Sequence, residues 1–171
     1  KRARAARGSS TPRATVSWVV AMRCRIFARP PGPEARQSPA MSDYTHLNLK
    51  DDVEDLAPKH GLAPNIESRF ARAPLGLEKS GLSHYKMAPD FRLPFGHRHG
   101  EQEEVYVVLS GSARFRVGDE SVDMRPLDAL RVPGSVPRGM EAGPDGAEIL
   151  AFGAPNTDNK DAEMLSDFWP D

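Results

Sequence analysis

The residues with the most chemical capacity stand in one short segment, Gly96-His97-Arg98-His99-Gly100-Glu101-Gln102-Glu103-Glu104. In an extended strand, residues two apart share a face, so His97 and His99 aim at one point. Paired imidazoles suit iron, nickel, zinc and copper, and two histidines with one carboxylate leave positions open for substrate or oxygen. Glu104 opens the next strand and offers that carboxylate. Glu103 has the opposite facing, and Arg98 points outward. A His-x-His pair alone is also a common chance or structural pair. It gains meaning here by lying between two predicted strands with a carboxylate beside it. Tyr106 shares the facing of Glu104 and reads either as a core tyrosine or as a polar handle in a pocket. His84 lies on another candidate strand and reads as lining the interior, facing solvent or hydrogen-bonded in place. His46 and His60 receive no role. The chain has neither a glycine-rich phosphate loop nor a serine nucleophile elbow.

Short strands must carry these residues. Residues 82–87 form one candidate, and residues 91–99 a second, bent by Pro94 and Gly96. Residues 103–109 are rich in Val and Tyr, as strands are. Ser110-Gly111 then reads as a turn. Ala113, Phe115 and Val117 alternate with Arg114 and Arg116, the period-two pattern of a half-buried strand. Gly118-Asp119 reads as a hairpin turn, and Val122 and Met124 alternate with polar neighbours. Residues 129–132, 138–141 and 148–152 complete the series, punctuated by Pro133-Gly134 and by residues 143–146. Phe115, Met124, Leu130 and Phe152 are the simplest core. Short strands at this spacing, with no long helix between them, predict an all-β sandwich or barrel. Residues 66–71 are a short strand or an arm, and residues 161–169 a closing helical turn or an ordered tail. Pro58 and Pro64 interrupt any long helix in the lead-in over residues 41–75.

Charge divides the 171-residue chain in two. Residues 1–40 hold Lys1 and eight arginines against Glu34, about +8, and residues 41–171 hold 14 Lys and Arg against 23 Asp and Glu, −9. Residues 1–40 show no hydrophobic period able to bury a face. They are open to three readings: an unstructured extension outside the native protein, a transit peptide, or a basic arm. The change of composition falls at Met41. The acidic part lacks the excess cation that nucleic acid requires. The longest apolar run of the basic part, residues 18–22, is far short of a membrane span. Cys24 is the only cysteine, which excludes an internal disulfide framework and a cysteine zinc cluster. The expected compartment is the cytoplasm.

The segment resembles the first motif of the cupin superfamily. His97 and His99 match its histidines, four residues separate His99 from Glu104, and six more separate Glu104 from Gly111. Phe91 stands at the motif's opening glycine. In the second motif Leu127 stands at the first glycine, Pro133 at the proline and Ser135 at the second glycine. Arg138 stands at the histidine that would be the fourth metal ligand, and Ala142 at the asparagine. The sequence is similar to short single-domain bacterial cupins that carry Arg at that position. The resemblance implies a small double-stranded β-helix, a jelly-roll barrel over residues 76–154, with a tail over residues 155–171. It implies a metal set of His97, His99 and Glu104.

Arg138 cannot be a ligand, because guanidinium stays protonated and offers no lone pair. If it points inward, it can pair with Glu104, and a metal-free barrel is then open to the chain. If it tilts to the mouth, three ligands remain and its fork takes a ligand carboxylate or phosphate. The expected function is therefore a barrel that binds a divalent metal (iron, manganese, nickel or zinc) and a small polar or anionic organic ligand near Arg138 and Tyr106. Dioxygenase or isomerase chemistry would then be open to it. The alternative is a metal-free small-molecule binder or a dimerisation module, with a homodimer as the expected assembly.

Overall fold

Two long strands make this barrel. The structure, a computed structural model, describes residues 44–156 and 160–170. The three readings of residues 1–40 lie outside the described residues. A short 3-10 helix at Ala57–His60 precedes β1 (Ile66–Phe70), a single helical turn α1 (Arg72–Leu75), β2 (Gly81–Met87) and β3 (Gly96–His99). Then come β4 (Glu103–Val117), β5 (Glu120–Met124), β6 (Ala129–Val132), β7 (Arg138–Ala154) and β8 (Ala162–Leu165). The expected all-β barrel is thus the observed class.

β4 and β7 run antiparallel along their whole lengths, from Glu103 opposite Ala154 to Val117 opposite Arg138. The first half of β4 also pairs with β6, and its second half with β5. β2 extends the sheet beyond β7, and β1 pairs with β2. The turns expected at Ser110-Gly111 and at residues 143–146 do not break these strands. They become bulges, with register shifts between Val108 and Ser110 and between Gly111 and Ala113. Gly111 (φ 69°) and Gly146 (φ 75°) take the left-handed backbone that bends the ribbon. A Cβ at Gly111 would stand 2.0 Å from the Gly146 carbonyl oxygen, so the two strands cross there at a distance only glycine permits. The bend curls one ladder around the interior instead of ending it.

Tyr106, Val108, Phe115, Met124, Val132, Met140 and Ile149 fill that interior. Their alternation puts Val105, Val107, Leu150 and Phe152 on the outer face. Phe152 is 46% exposed, which corrects its expected place in the core. Residues 91–95 are not strand, so the second expected strand shrinks to β3. Of the two forms expected for residues 161–169 the structure has an ordered tail and no helical turn, and its residues Ala162–Leu165 form β8, antiparallel to β3. His84 is buried and hydrogen-bonded in place. Its Nε2 lies 2.8 Å from Glu148 Oε1, and the same carboxylate holds Lys50 of the lead-in at 2.7 Å. No helix among the described residues is long and apolar enough to cross a membrane.

Leu127 holds φ 72° while 82% exposed, a backbone conformation that penalises a Cβ and suits glycine. Leu127→Gly should raise the free energy of unfolding in urea by about 1 kcal/mol, with a higher midpoint and an unchanged m-value; a lower midpoint contradicts it. Lys50 first, and then His84, hold the Glu148 carboxyl below its usual range. A depressed carboxyl stabilises the fold above the unfolded pKa of about 4.3 and loses that contribution as pH falls through the folded value. Urea midpoints of Glu148→Gln should therefore fall less steeply below pH about 4.3 than those of the parent; parallel curves would refute this.

Candidate metal centre

β3 presents His97 and His99 to the interior, and the three residues 100–102 carry the chain to β4. Glu104, second in β4, faces the same space. Ligand atoms of His97, His99 and Glu104 all lie within 4.8 Å of one another. His97 Nε2 stands 3.2 Å from Glu104 Oε2, and His99 Nε2 stands 3.5 Å from Glu104 Oε1. The two imidazoles meet edge to face, with centroids 5.2 Å apart. Glu103 and Arg98 point away, into exposed ion pairs with Arg131 and Glu163.

Arg138, the first residue of β7, lies opposite His97 in the ladder and is fully buried. Of its two conceivable orientations it takes the inward one. Nη2 and Nε donate to Glu104 Oε2 at 3.0 and 3.2 Å. Nη1 donates to the carbonyls of Gly134 and Val136 at 2.9 and 3.0 Å. The turn that follows Pro133 thus serves the guanidinium. Tyr106 is buried and donates its hydroxyl to Glu104 Oε2. Gln102 donates its side-chain N–H to Glu104 Oε1 at 3.2 Å.

Glu104 is therefore the hub. Burial pushes its carboxyl up, but the His97 and His99 imidazoles and the Tyr106 hydroxyl more than offset that and hold it far below the usual carboxylate range. Burial first, and the Glu104 charge second, raise the phenols of Tyr85 and Tyr106 and keep them protonated. His99 is in the opposite condition. It is buried, and neither ring nitrogen has a hydrogen-bond partner. Its Nδ1 lies 3.7 Å from Asp161 Oδ2. Backbone hydrogen bonds, that from Gln102 first, lower the Asp161 carboxyl. An open pocket of about 390 Å³ reaches His99 and Asp161, and neither Arg138 nor Tyr106 lines it.

The histidine pair, Glu104, Arg138 and Tyr106, all legible as candidates in the sequence, thus meet in one cluster. Sequence reasoning missed Gln102, Tyr85 and Asp161. Tyr85 shares a strand face with Met87, so its inward facing was available from period two. Nothing in the spacing pointed to Asp161.

Residues 83–152 match the family described as Cupin domain. Among solved structures, a cupin protein from Bacteroides fragilis is 20% identical, with TM-score 0.56, over 70% of this chain and 91% of its own. The polyketide cyclase RemF from Streptomyces resistomycificus is 21% identical, with TM-score 0.57, over 74% of this chain and 87% of its own. An oxalate decarboxylase variant from B. subtilis is 19% identical, with TM-score 0.60, over 75% of this chain but 34% of its own. At these identities the likeness is one of fold. No curated protein matches the chain.

Removing one member of a buried ion pair strands the other charge. Arg138→Met should cost about 3–5 kcal/mol in urea unfolding. The double variant with Glu104→Gln should lose much less than the sum of the single losses. Additive losses would mean that the two side chains are not coupled.

Proposed function

We propose, from the match of residues 83–152 to the cupin domain family, that the barrel binds a divalent metal through His97, His99 and Glu104. Iron, manganese, nickel and zinc all suit this donor set. The observation that carries the reading is His99: a buried imidazole with two unpartnered nitrogens, its Nε2 facing Glu104 Oε1. An ion between these atoms satisfies both. Glu104 can serve it with Oε1 while Oε2 remains on Arg138, as a ligating carboxylate commonly keeps a hydrogen-bonded second oxygen. When bound, the metal supplies Lewis-acid polarisation and open coordination positions, which a dioxygenase or an isomerase would use. The ligand is a small polar or anionic organic molecule. Tyr106 and Arg138 set its electrostatic surroundings through Glu104 rather than from the mouth.

The Arg138–Glu104 pair favours a second reading, a metal-free barrel that holds a small molecule. In that case Glu104 is already compensated by Arg138, His97 and Tyr106. The neighbours named above include a cyclase and a decarboxylase, so the fold alone selects no reaction. The outer apolar residues Val105, Val107, Leu150 and Phe152 support pairing with a second copy.

Elemental analysis of the full chain, purified without a histidine tag, tests this. The metal reading expects about one ion per chain, lost in His97→Ala and in His99→Ala. Arg138→His should bind metal more tightly by completing a four-ligand set. No metal after reconstitution with iron, manganese, nickel and zinc leaves the metal-free reading. Light scattering of the same sample should give twice the chain mass; a monomer excludes the pairing.

A further inference from the structure

An ionised carboxylate offers about four acceptor positions, two on each oxygen. On Glu104 those of Oε2 are taken. Arg138 donates to it through Nη2 at 3.0 Å and Nε at 3.2 Å, and the Tyr106 hydroxyl donates to it as well. Among the described residues, Oε1 accepts one hydrogen bond, from Gln102 Nε2 at 3.2 Å. His99 Nε2 stands 3.5 Å from the same oxygen and forms no hydrogen bond. One acceptor position of the carboxylate therefore remains, on Oε1. Arg138 and Tyr106 hold the group by one oxygen; Gln102 holds it by the other and so fixes where that free position points.

Gln102 is itself fixed at both ends. It is buried, and its backbone N–H donates to Asp161 Oδ2 at 2.9 Å. Its side chain lies on Gly153, which stands opposite Glu104 in the ladder between β4 and β7. A Cβ on Gly153 would stand 2.6 Å from Gln102 Cδ and would overlap Nε2. Gly153 does not have a positive φ, so its backbone suits alanine, and the amide alone stands in the way of a side chain there. Turned over, the amide would set its oxygen against the carboxylate, acceptor against acceptor. The N–H is therefore the group that meets Oε1.

We propose that Gln102, seated on Gly153, is a positioning residue of the His97, His99 and Glu104 centre. It occupies one acceptor position of Oε1 and directs the other toward His99. The role rests on the metal reading above, because a hydrogen bond to a ligating carboxylate sets the orientation that the ion meets.

Titration of the full chain with cobalt(II), read by visible absorption, tests it. Gln102→Leu fills similar space without an N–H, and Gly153→Ala displaces the amide from β7 without altering any ligand. Each should weaken cobalt binding by about 10–100-fold and change the absorption of the saturated site. In a Gln102→Ala background the added methyl has no amide to displace, so Gly153→Ala should there cost almost no further affinity. Ile66→Val removes a buried methyl group from β1 and should bind cobalt as the parent does, which separates lost stability from lost positioning. Parent-like affinity in Gln102→Leu overturns the role of Gln102 and leaves the metal reading standing. So does a Gly153→Ala loss that is equally large with and without Gln102. Should Gly153→Ala fail to fold, Gln102→Leu decides alone. A parent that takes up no cobalt overturns the metal reading and this role with it.

Discussion

The centre of this barrel depends on one buried carboxylate. Glu104 has 13% of its side chain exposed, and an ionised carboxylate there is tolerable only if its oxygens are occupied. Arg138, His97, Tyr106 and Gln102 supply those contacts, and each comes from a different constraint of the fold. Tyr106 shares the facing of Glu104 two residues along β4. His97 faces it from β3. Arg138 enters at the start of β7, where the long ladder ends opposite Val117. Gln102 is fixed by its own backbone bond to Asp161. The barrel closes around a charge, and the closure is what keeps that charge compensated.

The end of the chain bears on a site in its middle. Phe168 lies against Gly96 and Gly139, where any Cβ would strike the ring, and Trp169 donates its indole N–H to the Leu93 carbonyl. Arg116 stacks over Phe168 at 5.0 Å and also donates to its carbonyl. β3 is short and weakly joined to β7, so this C-terminal strap supplies the second edge that a four-residue strand needs. The link 100–102 is tied to the same strap. Asp161 takes its three amide protons, and the ligand-bearing strands are held at one spacing.

Period-two patterning was enough to place His97, His99 and Glu104 on one interior face and to orient Arg98 and Glu103 outward. The departure at Arg138 was equally legible, because a residue that cannot ligate stands where the family pattern has a ligand. Other features were hidden for physical reasons. Ser110-Gly111 and the stretch 143–146 carry the glycines of turns, and a bulge uses the same left-handed glycine as a turn does. Only the long-range ladder between β4 and β7 decides between them. Phe152 looked like core because it is large and apolar, but register with Val105 and Leu82 puts it outside. The contacts of Asp161 span 59–61 residues of sequence, and no local period encodes such a pairing.

Arg138 also bears on what the pocket would accept. Glu104 and Arg138 together are neutral, and both are withdrawn from water. A divalent ion added to the histidines leaves about two positive charges in a site of low dielectric, where Coulomb terms are large. Had a histidine stood at position 138, the ion and Glu104 would leave one. In the proposed metal site the extra charge would make metal binding weaker by itself and stronger when an anion arrives with it. Linkage then runs both ways: an anionic ligand raises the affinity for metal as much as metal raises the affinity for the anion. In the metal site proposed above, arginine at position 138 would thus favour an ion held together with an anion over an ion held alone.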